Sequence, residues 1–190
     1  MLRRNTPARR LPPQADNEAN SVTRRQDFSA EEWRALRNAP QLVAIATAAA
    51  GHSGFFGTLS EGMSAASAFA AARRANNELI KELFGPEEIR AAHGDIGELL
   101  GSVTEPSAFG TQLQDRAIAA TRKALAALDA HQATADMKDY RKMLAWLAEE
   151  VANAAREGSF FGFGGVRVSE GEQKFLDKLY AVVKTGDAAP

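Results

Sequence analysis

The residues most suggestive of chemistry lie together near the C-terminus, in Gly158-Ser-Phe-Phe-Gly-Phe-Gly-Gly-Val-Arg-Val168. Glycines just ahead of a helix start, with a cation such as Arg167 beside them, are the parts of an anion site, because the first backbone N–H groups of a helix point outward at a ligand. The chemistry they could support is phosphate binding. The pattern stops short of it. A P-loop needs Gly-x-x-x-x-Gly-Lys-Ser/Thr, and a dinucleotide fingerprint needs a strand before its glycines. Phe160, Phe161 and Phe163 also make this loop apolar. Together with Gly164, Gly165 and Arg167, and with Phe55 and Phe56 of an earlier similar segment, they read as a plug for a bundle end or as a contact surface for a partner.

Other chemistries have less behind them. His52, His93 and His131 show no His-x-x-x-His or Glu-x-x-His spacing, so a di-iron bundle is not expected. Glu149 and Glu150 are adjacent and diverge on a helix. The carboxylates beside the two Phe-rich segments, Glu157, Glu170, Glu172 and Glu61, remain as weak metal candidates. The chain has no cysteine, which removes thiolate metal sites, iron–sulfur clusters and cysteine nucleophiles. A Gly-x-Ser-x-Gly elbow is also missing. The expectation is no catalytic residue, no cofactor and no metal.

The elements that must position these residues are helical. Over 190 residues, 45% are apolar, enough for one core, and only 7% are aromatic while alanine abounds. That balance favours helices packed through small side chains over strands. The net charge of -1 does not suggest a nucleic-acid partner. The lack of cysteine and of an apolar leader sets the expectation of a cytoplasmic protein. Residues 38–60 carry no formal charge, but Gly51, His52, Ser53, Gly54 and Gly57 interrupt them, so they read as a buried helix and a loop rather than a membrane span.

Residues 1–27 read as a disordered basic tail, with six arginines against Asp16, Glu18 and Asp27 and no apolar stripe. A helical domain is expected over 28–185, and a short disordered tail over 186–190. Ser29-Ala-Glu-Glu32 is a capping box, with Phe28 and Trp33 at the staple positions. Pro40 should end or kink the first helix. Its continuation, apolar nearly all round, should be buried. Thr58-Leu-Ser-Glu61 should start a long helix reaching about Phe84, with Arg73, Arg74, Asn76 and Asn77 on its polar face. Gly85-Pro86 marks a stop and a start. A short helix is expected over 86–92, ending at Gly94, with another turn or two over 95–100. Ile118, Thr121, Leu125 and Leu128 form one stripe, and Tyr140, Leu144, Leu147 and Val151 another, at the spacing of antiparallel bundle seams. Trp146 reads as core or groove wall. Ser169-Glu-Gly-Glu172 is a second capping box, opening a last helix that buries Phe175, Leu176, Leu179, Val182 and Val183. The fold expected is an all-α bundle of about six to seven helices.

Ala49 to Gly57 and Ala154 to Gly162 match each other, each ending in Phe-Phe-Gly and each followed by Ser-Glu-Gly. Duplication into two helix-loop-helix units and convergence of alanine-rich helices ending in glycine both account for this. The stretch Val151 to Glu170, with Trp33, Ala39-Pro40, Ser53-Gly54 and Glu61, resembles a family of uncharacterised bacterial helical proteins, a likeness that implies the fold and no activity. More distantly, Ala155-Arg-Glu-Gly158 and Ser169-Glu-Gly-Glu172 resemble the TerB-like tellurite-resistance proteins. That family's aspartate before the loop glycine is replaced here by Glu157, and in the first copy by His52. The leading expectation is a non-enzymatic helical protein acting through protein contact, with a partner protein or with its own copies. The rival is a TerB-like stress protein binding a metal or small ligand.

Overall fold

A computed structural model describes residues 23–51, 69–74, 76–101, 109–158 and 170–184. Among these there is no strand. Six α-helices follow one another: α1 (Ala30–Gly51), α2 (Glu78–Leu83), α3 (Pro86–Gly101), α4 (Phe109–Ala130), α5 (Thr134–Gly158) and α6 (Glu170–Lys184). A 3-10 turn, Arg25–Asp27, precedes them, and residues 69–72 are also helical. The all-helical bundle expected from composition is therefore the fold observed.

The first helix begins as its capping box requires. The Ser29 backbone N–H donates to Glu32 Oε2 at 2.8 Å, and the Glu32 N–H donates to Ser29 Oγ at 3.3 Å. Phe28 and Trp33 close the staple with ring centroids 6.0 Å apart. Of the two outcomes expected at Pro40, an end or a kink, the end does not occur: α1 runs through it to Gly51. Proline cannot donate to the carbonyl four residues back, that of Leu36. Here the Tyr140 hydroxyl donates to that carbonyl at 2.8 Å, so the acceptor freed by Pro40 is satisfied from α5. Past Pro40, the helix is buried on several sides, as its apolar pattern requires. Ala39, Leu42, Val43 and Ala46 join the main core, while Ala44 packs with Leu147 and Val151. The Thr47 hydroxyl donates back to the Val43 carbonyl at 2.8 Å.

Alpha-helix α1 packs mainly on α4, and also on α5, α3 and α6. Small residues serve this close packing, since Ala39, Ala46, Ala117 and Ala124 are all fully buried. Both expected stripes are buried: Ile118, Thr121, Leu125 and Leu128 on α4, and Tyr140, Leu144, Leu147 and Val151 on α5. Burying a leucine of this kind contributes about 1.5–3 kcal/mol. The turn between these helices is a Schellman motif. The Ala133 N–H donates to the Leu128 carbonyl and the Gln132 N–H to the Asp129 carbonyl, each at 2.9 Å. Gln132 takes the left-handed position there, with φ 52°. On α6, Phe175, Leu176, Leu179 and Val183 are buried, with Val182 partly so.

Elsewhere the chain departs from expectation. No single helix reaches Phe84: helix stops at residue 72, Arg73 and Arg74 form a turn, and α2 starts after Asn77. Asn77 is the N-cap, its extended backbone and Oδ1 receiving the Ile80 N–H at 3.0 Å. These residues are thus a helix break rather than a polar face. Gly85-Pro86 does separate α2 from α3, and a Cβ on Gly85 would lie 3.0 Å from the Glu82 carbonyl oxygen. Then α3 continues through Gly94, where an end was expected. A glycine costs a helix only about 1 kcal/mol, which packing overrides.

Candidate functional site

Of residues 23–27, placed with the tail on sequence grounds, Thr23 is held in the bundle while 24–27 are exposed. Thr23 is buried, and both its N–H and its hydroxyl donate to Asp136 Oδ2, the former at 3.0 Å. Asp136 is itself buried in the first turn of α5. Its other oxygen receives the Asn77 side-chain amide at 2.9 Å, and the same amide donates to Asp139 at 3.1 Å. One carboxylate thereby joins the N-terminal strap, the N-cap of α2 and the start of α5. Arg25 continues the strap, with its guanidinium 5.4 Å from the Trp33 ring and its Nη1 3.1 Å from Glu88. A cleft of about 880 Å³ lies between strap and α2, bordered by Arg24, Arg73 and Lys81 and by Glu78 and Glu82.

A second polar cluster ties α1 to α3. Arg37 meets Glu88 at 3.1 Å and Asp95 at 2.6 Å, and Arg34 meets Asp95 at 2.9 Å. The Asn38 amide adds a bond to Asp95 at 2.9 Å. Burial works against ionisation of Asp95, but the hydrogen bonds from Asn38, Arg37 and Arg34 outweigh it and hold its pKa below the ordinary value. Tyr180 on α6 donates to Glu149 on α5 at 2.8 Å. Burial and that carboxylate neighbour push the phenol up to about 12. These groups are spent on joining helices.

A third feature faces outward. Between α4 and α6 lies a groove of about 840 Å³. Ile118 and Leu125 form its floor, with Ala119, Ala181 and Val182 along the sides and Arg122, Arg141 and Lys178 at the edges. Arg141 reaches in from α5, where its Nη1 donates to the Val183 carbonyl at 3.0 Å, capping the last turn of α6. A smaller hollow of about 400 Å³ has Trp146 as a wall, beside Asn77, Asp139 and Lys142, in agreement with the groove-wall reading of that tryptophan.

Most residues singled out on sequence fall elsewhere. Phe55, Phe56, Glu61, Phe160, Phe161, Phe163, Gly164, Gly165 and Arg167 lie outside the described residues, as do residues 1–22 and 185–190. The helices leading into the two Phe-Phe-Gly segments are present, α1 ending at Gly51 and α5 at Gly158. Glu157 stands in the last turn of α5. Glu170 is exposed and 3.7 Å from Lys174, whereas Glu172 is buried. The described residues hold no cluster of three or more metal-ligating side chains. None of their helices is long and apolar enough to cross a membrane. Sequence reasoning missed the Asp136 junction and the groove. Asn77-Glu78, an N-cap residue followed by an acid, was the readable signal for the first; the groove had none. No family model matches this chain, nor does any curated protein or solved structure.

Proposed function

We propose that this chain is a non-enzymatic helical protein that acts by binding another protein. The observation that supports this is the open α4/α6 groove, whose floor is apolar while its rim is charged. Contact surfaces share that organisation, an apolar centre ringed by polar groups. The polar clusters described above are engaged in holding helices together, which suits a scaffold. The test places a photo-crosslinking residue at Ala119 or Ala181, both exposed, and a control at exposed Arg90 on α3. The expected result is a protein adduct from the groove positions alone, lost when the other groove alanine is changed to glutamate. Adducts no stronger than the control's overturn the reading. The Phe/Gly loop is the second candidate surface. If replacing Phe160, Phe161 and Phe163 by alanine lowers the melting temperature far more than it changes adduct formation, the loop is core.

A TerB-like metal- or ligand-binding role has one observation in its favour, the burial of Glu172 at the start of α6. Titration calorimetry with calcium, magnesium and zinc tests this, and no heat at millimolar metal overturns it.

A further inference from the structure

We infer that the segment seated in the α4/α6 groove is an amphipathic helix carrying carboxylates along its edge, an inference that rests on the contact role just proposed. The floor sets the apolar requirement. Ile118 and Leu125 are seven residues apart on α4, two helical turns, so the groove accepts an apolar stripe of at least that length. The rim sets the charge. Arg122 lies on α4 between the two floor residues, Lys178 lies one turn before Val182 on α6, and Arg141 comes from α5.

The lining answers these three cations with a single carboxylate, Asp115. It stands 3.8 Å from Lys178, and both side chains are more than half exposed, so that pair is weak. Neither Arg122 nor Arg141 lies within ion-pair distance of a carboxylate among the described residues. Arg141 is also fixed in place by the Val183 carbonyl, so its charge is presented without further loss of side-chain freedom. A partner with acidic flanks meets this positive rim favourably. A second copy of the chain does not, because a two-fold contact through this face sets Arg122 and Lys178 against the same residues of the other copy.

The experiment uses the full chain and two synthetic helical peptides that share one leucine stripe, one flanked by glutamates and the other by lysines. Binding is read by fluorescence anisotropy at low and high salt. The glutamate peptide is expected to bind about tenfold more tightly than the lysine peptide, the effect of two or three partly exposed ion pairs. Salt should erode the difference. Arg122→Glu with Lys178→Glu should reverse the preference without lowering the thermal melt, since both side chains are exposed. Equal binding of the two peptides, or a preference untouched by the charge reversal, overturns the inference. Self-association through the groove in sedimentation, or binding only to vesicles of anionic lipid, overturns it also. If neither peptide binds while the groove crosslinks persist, the charge inference fails and the contact role stands. If the crosslinks are absent too, both fail.

Discussion

Tyr140 supplies α1 with the donor that Pro40 lacks, and the two residues form one functional pair 100 positions apart in the chain. Replacing Tyr140 by Phe leaves a buried carbonyl without its partner, which should cost about 1–3 kcal/mol. In a Pro40→Ala background the restored N–H can serve Leu36, and the same Tyr140→Phe change should cost less than half as much. Chemical denaturation of the four proteins in this cycle measures the difference. Equal costs in both backgrounds would show that the hydroxyl does not compensate for the proline. Gln132 is a different case, since its local conformation favours another residue. A left-handed backbone suits glycine, so Gln132→Gly should stabilise the chain by about 1 kcal/mol and raise its melting temperature by a few degrees. A lower melt would mean that the Gln132 side chain contributes more than its backbone strain costs. Pro40 was legible as a break in the sequence; the hydroxyl that compensates for it was not, because nothing local to either residue links them.

The helices were legible where caps and stripes agreed. The Ser29/Glu32 box, the Gly85-Pro86 junction and the seams of α4 and α5 all lie where the pattern puts them. Boundaries failed where one local signal was outweighed by packing, as at Gly94, or where a cap was read as a surface residue, as at Asn77. Helix α3 offers a direct check, because a Cβ on Gly94 or Gly97 would meet nothing within 4 Å. Gly97→Ala should therefore add about 0.5–1 kcal/mol, seen as a higher thermal midpoint. A loss instead would mean that α3 needs glycine there for a reason beyond its own backbone. The α1–α3 junction should respond to acid. The pKa of Asp95 is depressed in the folded chain, so its contribution is present above the unfolded value of 3.8 and disappears as pH falls through the lower folded value. The melting-temperature gap between wild type and Asp95→Asn should be widest near about pH 6 and shrink toward about pH 2. A gap that stays constant would assign the loss to packing rather than charge.

Across the whole molecule, composition was enough to give an all-helical bundle, because few aromatics and many alanines leave little else to build. The candidate site was much less legible. The groove is assembled from α4, α5 and α6, and the Asp136 junction joins residues 59 and 113 positions away, so neither leaves a local pattern. Asp136→Ala should show how much the bundle depends on that junction. Three donors lose a charged acceptor, and about 3 kcal/mol of stability should go with it. Trypsin should then cut faster after Arg24 and Arg25, the second of which is held against α1 and α2. Unchanged cleavage at a lowered melting temperature would show that Asn77, not Thr23, is the partner that matters.

The bond from Thr23 to Asp136 also sets an order of events. A chain is made from its N-terminus, at about 5–20 residues per second. Thr23 must wait for the 113 residues that separate it from its acceptor, on the order of ten seconds. During that interval the strap has no carboxylate to receive it, and Arg24 and Arg25 remain open to any acidic surface nearby. Thr23 is thus synthesised early and fastened late, and its fastening marks the moment when the start of α5 has joined the rest.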